Sequence, residues 1–161
     1  MRITKTNYEY IYNCSYLQSS KLKCTLKPEG IYYAMGSEWL DLGFFDHEKY
    51  NIELELDFKN ICIIDDFYSF EKFVQKYTIN LYKYINCIDW KAVSEDYDGI
   101  EIRNYHSLKY TLSMSSAYWS ATWFYAWDVN GGCIFNLRAI NNQIVRNCET
   151  FILPSQELVL Y

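Results

Sequence analysis

Two segments that combine glycine with aromatic residues carry the side chains best suited to hold a flat ligand. Residues 27–34 read Lys-Pro-Glu-Gly-Ile-Tyr-Tyr-Ala, and residues 125–136 read Tyr-Ala-Trp-Asp-Val-Asn-Gly-Gly-Cys-Ile-Phe-Asn. Both place tyrosine or tryptophan near glycine at the end of a predicted strand. Rings in that position can form a pocket wall, and the glycine backbone can approach a planar molecule closely. The composition of both segments therefore indicates a binding site.

Several common catalytic motifs do not occur in the sequence. Neither glycine-rich phosphate-binding pattern, GxGxxG or GxxxxGK[ST], is present, which excludes Rossmann and P-loop chemistry. The GxSxG elbow of the serine hydrolases is missing as well, and His47 and His106 are the only histidines. Because there is also no CxxC pair, no metal site is expected.

Length and composition indicate one cytoplasmic domain. The 161 residues are enough to bury a hydrophobic core, and we expect a single domain over residues 1–161. Apolar runs are short and the N-terminus lacks the apolar stretch of a secretion signal, so neither a membrane span nor export is predicted. The net charge of −5 argues against a broad phosphate-binding face.

The six cysteines are widely spread, and several lie in apolar, strand-like runs. We predict that they are reduced core residues, as expected in a cytosolic protein. They are Cys14, Cys24, Cys62, Cys87, Cys133 and Cys148.

Short strands and helices must position these segments. Alternation of apolar and polar residues predicts strands at residues 8–14, 31–35, 52–58, 61–64, 100–102, 121–127 and 133–137. A helix is predicted after Asp65 or Asp66, which can cap it, and its apolar face consists of Phe67, Phe70, Phe73, Val74 and Tyr77. A second helix is predicted at residues 89–97, a short helix or turn at 16–21 and a helical turn at 38–42. Residues 113–120 are predicted to be a polar loop, and Gly131-Gly132 a turn or bulge.

The predicted elements indicate the fold class. Strands outnumber helices, and the helices lie in the first two thirds of the chain, with the rest mostly extended. A single compact α+β domain, with mixed or antiparallel strands and two or three short helices, fits this order best.

Three short segments also resemble the ADP-ribosyltransferases of the diphtheria-toxin and poly-ADP-ribose-polymerase type. In that family a first strand commonly ends in His-Gly-Thr, and residues 11–17 have a similar outline, with Asn13 at the histidine position and Ser15 at the threonine position. A second strand carries Gly-hydrophobic-Tyr, which residues 30–34 match as Gly-Ile-Tyr-Tyr-Ala. A third, late strand carries the catalytic acid and resembles residues 127–140, although no glutamate stands at the expected start.

The resemblance implies that NAD is the donor substrate and that a protein or a nucleic acid is the acceptor. Tyr32 would then stack on nicotinamide, in a site that also includes Gly30, Tyr33 and Trp39. Asn13 and Ser15 would position the carboxamide and the ribose. Cleavage of the nicotinamide glycosidic bond develops positive charge on the ribose, which a carboxylate stabilises. Asp128 is the first candidate for that catalytic acid, ahead of Glu101 and Asp98, and an ordinary turn aspartate is the alternative interpretation.

Two other classes of function remain open. The aromatic residues at 118–127 would suit an exposed patch for a partner protein in a non-catalytic interaction domain. Alternatively, the same rings would stack on a small nucleotide or sugar without catalysis. Rings that converge with Asp128 favour the enzyme, rings on a flat face favour the partner, and rings packed inside favour none of the three. A composition rich in Asn, Ile, Lys and Tyr indicates an AT-rich source, which would suit a phage, virus or mobile element acting in the cytosol of a host.

Overall fold

The structure, a computed structural model, describes residues 2–6, 26–36, 50–82, 85–115 and 122–147. They form an α+β domain with mixed, mainly antiparallel strands, as the sequence predicts. The strands are β1 (Arg2–Thr6), β2 (Ile31–Met35), β3 (Tyr50–Leu56), β4 (Ile61–Ile64), β5 (Thr78–Tyr82), β6 (Ile85–Ile88), β7 (Gly99–Ile102), β8 (Gly131–Ile134) and β9 (Ile140–Asn147). The α-helices of the described ranges are α1 (Phe67–Tyr77), α2 (Trp90–Asp96) and α3 (Tyr105–Ser113).

Seven strands form one sheet in the order β4-β7-β8-β2-β1-β3-β9, and β5 pairs with β6 in a separate hairpin. Within the large sheet only β4 and β7 run parallel; the other described pairs are antiparallel. The link from β3 to β4 is only residues 57–60, which reach at most about 18 Å when extended. Five strand spacings separate β3 from β4, and a flat sheet would put about 24 Å between them. The sheet must therefore curve.

The curvature gives the sheet an inner and an outer face, each with its own core. The inner core joins residues of β3 and β4, which are far apart in the strand order. Its buried members are Ile31, Tyr33, Ile52, Leu54, Leu56, Ile61, Ile134 and Ala139. The outer core lies between the sheet and the helices, and its large aromatic members are Phe70, Phe73, Tyr77, Trp90, Tyr105, Trp123, Phe124, Trp127 and Phe135.

Helices α1 and α2 follow the pattern predicted from the sequence. Asp66 caps α1 by accepting a hydrogen bond from the Ser69 amide at 2.7 Å, and the Ser69 hydroxyl satisfies the Asp66 amide in return. In the predicted apolar face of α1, Phe70, Phe73 and Tyr77 are buried and Phe67 and Val74 pack partly against the same core. Helix α2 is capped by Asp89 and buries Trp90 and Val93.

The chain after residue 102 is less extended than predicted. Part of the predicted polar loop at 113–120 is wrong, because Ser113 is the last residue of α3. The predicted strand at 121–127 is also wrong: its described part turns at 122–123 and forms a short 3-10 helix, Phe124–Ala126. Aromatic residues have high strand propensity, but Trp123 and Phe124 fill the space between α1, α2 and α3, and this tertiary packing overrides propensity.

Two further boundaries differ from prediction. Gly131 and Gly132 were expected to form a turn or bulge, yet both lie within β8, in regular register between β2 and β7. The strand predicted at 133–137 ends at Ile134, and Leu137 starts another 3-10 helix, Leu137–Ala139. The elements predicted at 8–14, 16–21 and 38–42 lie outside the described residues.

The cysteine prediction is partly wrong. Cys62 and Cys133 are free thiols, and burial raises the pKa of the Cys62 thiol to about 12. Cys87, however, is disulfide-bonded, and its partner is neither of the other two described cysteines. Its side chain is 2% exposed, so the bond lies within the folded core.

Candidate functional site

The two glycine-marked aromatic segments lie side by side. Strand β2 pairs with β8 along its length, from Ile31 opposite Ile134 to Ala34 opposite Gly131. Beyond the ladder, the Met35 amide donates to the Asn130 carbonyl at 2.9 Å. The tyrosine strand and the segment that carries Asp128 are therefore immediate neighbours, although about 100 residues separate them in sequence.

Alternation along β2 sends Tyr32 and Tyr33 to opposite faces of the sheet. Tyr33 is 1% exposed on the inner face, whereas Tyr32 is half-buried on the outer face, beside the helical layer. Tyr33, which the sequence placed in the candidate site, therefore fills the inner core. Of this pair, only Tyr32 keeps a partly open ring.

The Tyr32 ring is held from several sides. Its centroid lies 5.8 Å from that of Trp127, with the two planes tilted by 56°. Its hydroxyl donates a hydrogen bond to the carbonyl oxygen of Pro28. The ammonium of Lys27 lies 5.5 Å from the ring centroid, within the range of a cation–π contact. Burial raises the pKa of Tyr32 far above its usual value, so the hydroxyl remains a donor at physiological pH.

We call this arrangement of Lys27, Tyr32 and Trp127 the aromatic corner. Trp127 is 5% exposed, and its buried indole nitrogen has no hydrogen-bond acceptor among the described residues. Burying an N–H group without a partner is unfavourable, so this donor is a polar feature of the corner beside its rings. The corner therefore combines a fixed, partly open ring with a cation and a donor.

Gly30 has a structural role beside the corner. A Cβ atom at this position would stand 2.4 Å from the Ile134 carbonyl oxygen and 2.5 Å from the sulfur of Cys133. Glycine is thus required where the chain enters β2 because it packs directly against β8. The sequence predicted a close approach of a planar ligand at Gly30; in the structure the protein's own strand β8 occupies the space that a Cβ atom would fill.

Asp128 follows Trp127 at the centre of a tight turn. The Val129 amide donates to the Trp127 carbonyl at 2.8 Å, and the φ angle of Asp128 is +68°. A three-residue turn with positive φ at its central residue is rare and strained. The turn leaves the Asp128 side chain exposed while its two neighbours, Trp127 and Val129, are buried. Asp128 thus presents an outward carboxylate at a strained position, with no ion-pair partner in the described part of the chain.

The described ranges contain a second polar cluster, on the inner face. Glu101 is fully buried and receives hydrogen bonds from Arg2 Nε at 2.5 Å, Arg103 Nε at 2.6 Å and the Tyr33 hydroxyl at 2.9 Å. Burial alone would raise the pKa of Glu101, but the hydrogen bonds from Arg2 and Arg103 outweigh it and hold the pKa below its usual value. The phenyl ring of Phe58 lies under both guanidinium groups, at 4.3 Å and 5.6 Å.

Gly132 makes this second cluster possible. It lies between Tyr33 and Glu101 in the ladder of three adjacent strands, and a Cβ atom on it would stand 2.3 Å from the Tyr33 hydroxyl oxygen. The Tyr33 ring therefore crosses over Gly132 to reach Glu101. Since this cluster is on the opposite face from Tyr32, Glu101 does not belong to the aromatic corner.

Asp98, the other alternative acid, is also engaged in structure. It is 7% exposed, and its carboxylate accepts from Arg138 Nε at 2.7 Å and from the Asn60 amide at 3.1 Å. Its backbone carbonyl accepts the Phe135 and Asn136 amides. Of the three carboxylates considered as catalytic acids, Asp128 alone is exposed.

The sequence indicated part of the corner, and of the inner cluster it indicated Tyr33 and Glu101 but not their contact with each other or with the two arginines. The quoted segments contained Lys27 and Trp127, but nothing in the sequence indicated that they meet at Tyr32. Arg2 and Glu101 are 99 positions apart, and only the strand order brings them together. The predicted site residues Asn13, Ser15 and Trp39 lie outside the described residues.

Two classes of feature do not occur in the described part of the chain. No helix there is long and apolar enough to cross a membrane. No group of three or more His, Cys, Asp or Glu residues in those ranges is arranged to hold a metal ion.

The described residues form an α+β domain with the aromatic corner on the outer face of its sheet. A comparison with known proteins adds no relative: no protein family, no curated protein and no solved structure matches the chain significantly. The functional argument therefore depends on the geometry of the corner.

Proposed function

We propose that this protein is an ADP-ribosyltransferase-like enzyme that uses NAD as donor to modify a macromolecular acceptor in the cytosol. The observation that carries the proposal is that the partly exposed Tyr32 ring of β2 packs against Trp127, the residue that precedes the exposed Asp128 in the turn before β8. Two of the three segments that resemble the family, residues 30–34 and 127–140, supply these two features.

Tyr32 and Trp127 of the corner, together with the neighbouring Asp128, would each have a defined role in this reaction. Tyr32 offers its ring to the nicotinamide, and the indole N–H of Trp127, which has no acceptor among the described residues, is a candidate donor for the carboxamide oxygen. The bond between ribose C1′ and the nicotinamide nitrogen breaks, and its electron pair leaves with the nicotinamide. Asp128 stabilises the positive charge that develops on the ribose. A nucleophile of the acceptor then bonds to C1′ and loses its proton.

Asp128→Asn is the direct test. The substitution keeps the size of the side chain and its tolerance for positive φ, but removes the charge that acts in the transition state. With NAD labelled in the adenylate, and cell lysate as acceptor source, we expect nicotinamide release and label transfer to fall at least about 100-fold, as for other lost electrostatic contacts. The affinity for NAD should change little.

The matched control is Glu71→Gln, which removes an exposed carboxylate from α1. Unchanged turnover in Glu71→Gln with loss in Asp128→Asn supports the assignment. Equal turnover of Asp128→Asn and wild type would remove Asp128 from the mechanism, and failure of the wild type to consume NAD would remove the proposed function.

The interaction-domain interpretation receives less support. Its proposed patch was residues 118–127, yet Trp123, Phe124 and Trp127 are 1%, 0% and 5% exposed. These three rings belong to the outer core. They are therefore not exposed for contact with a partner protein.

A further inference from the structure

The contact between Lys27 and Tyr32 places a cation where a ligand ring would bind. The ammonium lies 5.5 Å from the ring centroid of Tyr32, which is attracted to positive charge through its π face. The ring cannot easily move away, because Trp127 packs against it and its hydroxyl is bonded to the Pro28 carbonyl. Lys27, in contrast, is a long and flexible side chain that can leave at small cost.

Other lysines of the described chain also meet tyrosine rings, and they show what is particular to Lys27. Lys72 lies 4.4 Å from the ring of Tyr68, a residue that is 63% exposed on α1. That pair is open to water. Lys76 and Lys109 lie 5.0 Å and 5.4 Å from the rings of Tyr77 and Tyr105, but these two tyrosines are buried, at 4% and 0% exposure, and leave little ring surface for a ligand. Tyr32 is half-buried and anchored, so a charge over its ring is less screened by solvent than a charge over Tyr68.

The nicotinamide ring of NAD is itself a cation. Its nitrogen is bonded to the ribose, which makes the ring a flat pyridinium ion that can interact with the Tyr32 ring as the Lys27 ammonium does. Two positive charges at this distance repel each other, so the ligand and Lys27 compete for one position. A neutral ring of the same shape can stack, but it gains no cation–π attraction in exchange for the displaced ammonium.

We propose that the aromatic corner selects cationic aromatic rings of the pyridinium class over neutral rings of the same shape, and that Lys27 occupies the cation position until such a ring displaces it. The selectivity deepens the proposed function and rests on it for the identity of the ring. When the glycosidic bond breaks, nicotinamide takes up the electron pair and becomes neutral. It then loses the attraction that held it, and Lys27 returns, which favours product release.

Two small probes separate charge from shape: 1-methylnicotinamide, which is a cation, and nicotinamide, which is neutral. In NMR titrations of the full chain, we expect the cation to bind about fivefold more tightly than the neutral ring. Lys27→Met keeps the length of the side chain and removes the charge. It should tighten 1-methylnicotinamide several-fold and nicotinamide less, so the ratio of the two affinities rises. Lys72→Met, the matched control, should leave both affinities unchanged.

Three outcomes would overturn the inference: equal affinities for the two probes in the wild type, an unchanged affinity ratio in Lys27→Met, or no binding of either probe. None of these measurements needs turnover of NAD. Charge-selective binding without NAD consumption would therefore remove the proposed enzyme and leave a site for cationic rings. NAD consumption without charge selectivity would keep the enzyme and remove the role of Lys27.

Discussion

Tyr32 and Tyr33 are chemically identical neighbours with different environments. The two-residue period of a strand sends Tyr32 toward the helices and Tyr33 into the inner core, where its hydroxyl meets Glu101. Burial, followed by the charge of Glu101, raises the pKa of Tyr33 well above its usual value, so it acts there as a hydrogen-bond donor. Only the environment of Tyr32 combines an open ring with a neighbouring exposed carboxylate.

Of the residues in the inner cluster, Glu101 should contribute most to the stability of the folded protein. Glu101→Gln leaves the guanidinium groups of Arg2 and Arg103 without their buried counter-ion. We expect the free energy of unfolding at pH 7 to fall by about 3 kcal/mol, the lower end for a broken buried pair, because both arginines are partly exposed. Urea unfolding measures this change, and Glu71→Gln is the control for loss of an exposed carboxylate.

The effect of Glu101→Gln should also depend on pH. The pKa of Glu101 is lower in the folded protein than in the unfolded chain, so its stabilisation is complete above the unfolded value of about 4.3. As pH falls from there through the folded pKa, the wild type binds a proton and loses this stabilisation. The difference in the free energy of unfolding between wild type and variant should therefore shrink below about pH 4. If this difference in unfolding free energy stays constant between pH 7 and pH 3.5, Glu101 is not ionised in the folded protein.

At the level of elements, periodic patterns were sufficient for some predictions and not for others. The alternation of Ile52 and Leu54 with Glu53 and Glu55 predicted β3, and the apolar face of α1 was predicted with its cap. Helix α3 was missed because its sequence, YHSLKYTLS, is rich in residues of modest helix propensity. The residue before it, Asn104, has a left-handed backbone conformation and makes no side-chain capping hydrogen bond, so the sequence carried no start signal. Packing of Tyr105, Leu108 and Leu112 on the outer core stabilises it instead.

The segment around Trp123 is anchored to the helices by aromatic packing. Its indole stacks on Phe70, with centroids 5.8 Å apart and planes 6° apart, and meets Trp90 at 5.6 Å in an edge-to-face contact. Trp123 thereby joins α1 to α2 through the outer core. A sequence pattern of period 2 or 3.6 has no signal for such a contact, which explains why the segment was predicted as a strand.

Substitution at Trp123 distinguishes a core residue from an interaction patch. Trp123→Ala should lower the free energy of unfolding by about 4 kcal/mol, because it empties a site that is 1% exposed. Tyr110→Ala, at a ring that is 71% exposed on α3, is the matched control and should change stability by at most about 0.5 kcal/mol. If both variants unfold at the same urea concentration as the wild type, Trp123 does not belong to a packed core.

At the scale of the whole molecule, the curved sheet explains why the candidate site was only partly predictable. The short link between β3 and β4 forces the sheet to bend, and the strand order then places β7, β8 and β2 together. Tyr33, Gly132 and Glu101 become neighbours on one face and Tyr32 and Trp127 on the other. Local composition indicated that Tyr32 and Asp128 were suited to a site, but their proximity depends on this long-range pairing.

The disulfide at Cys87 is a property of the whole chain that the composition did not predict. A buried thiol in an apolar strand was expected to be reduced, yet Cys87 is oxidised while Cys62 and Cys133 are free. Since one disulfide uses two of the six cysteines, the unfolded and unreduced protein should have at most four titratable thiols. Thiol titration in guanidinium, before and after reduction, measures this number. Six thiols without reduction would contradict the bond at Cys87 and restore the fully reduced chain expected for a cytosolic protein.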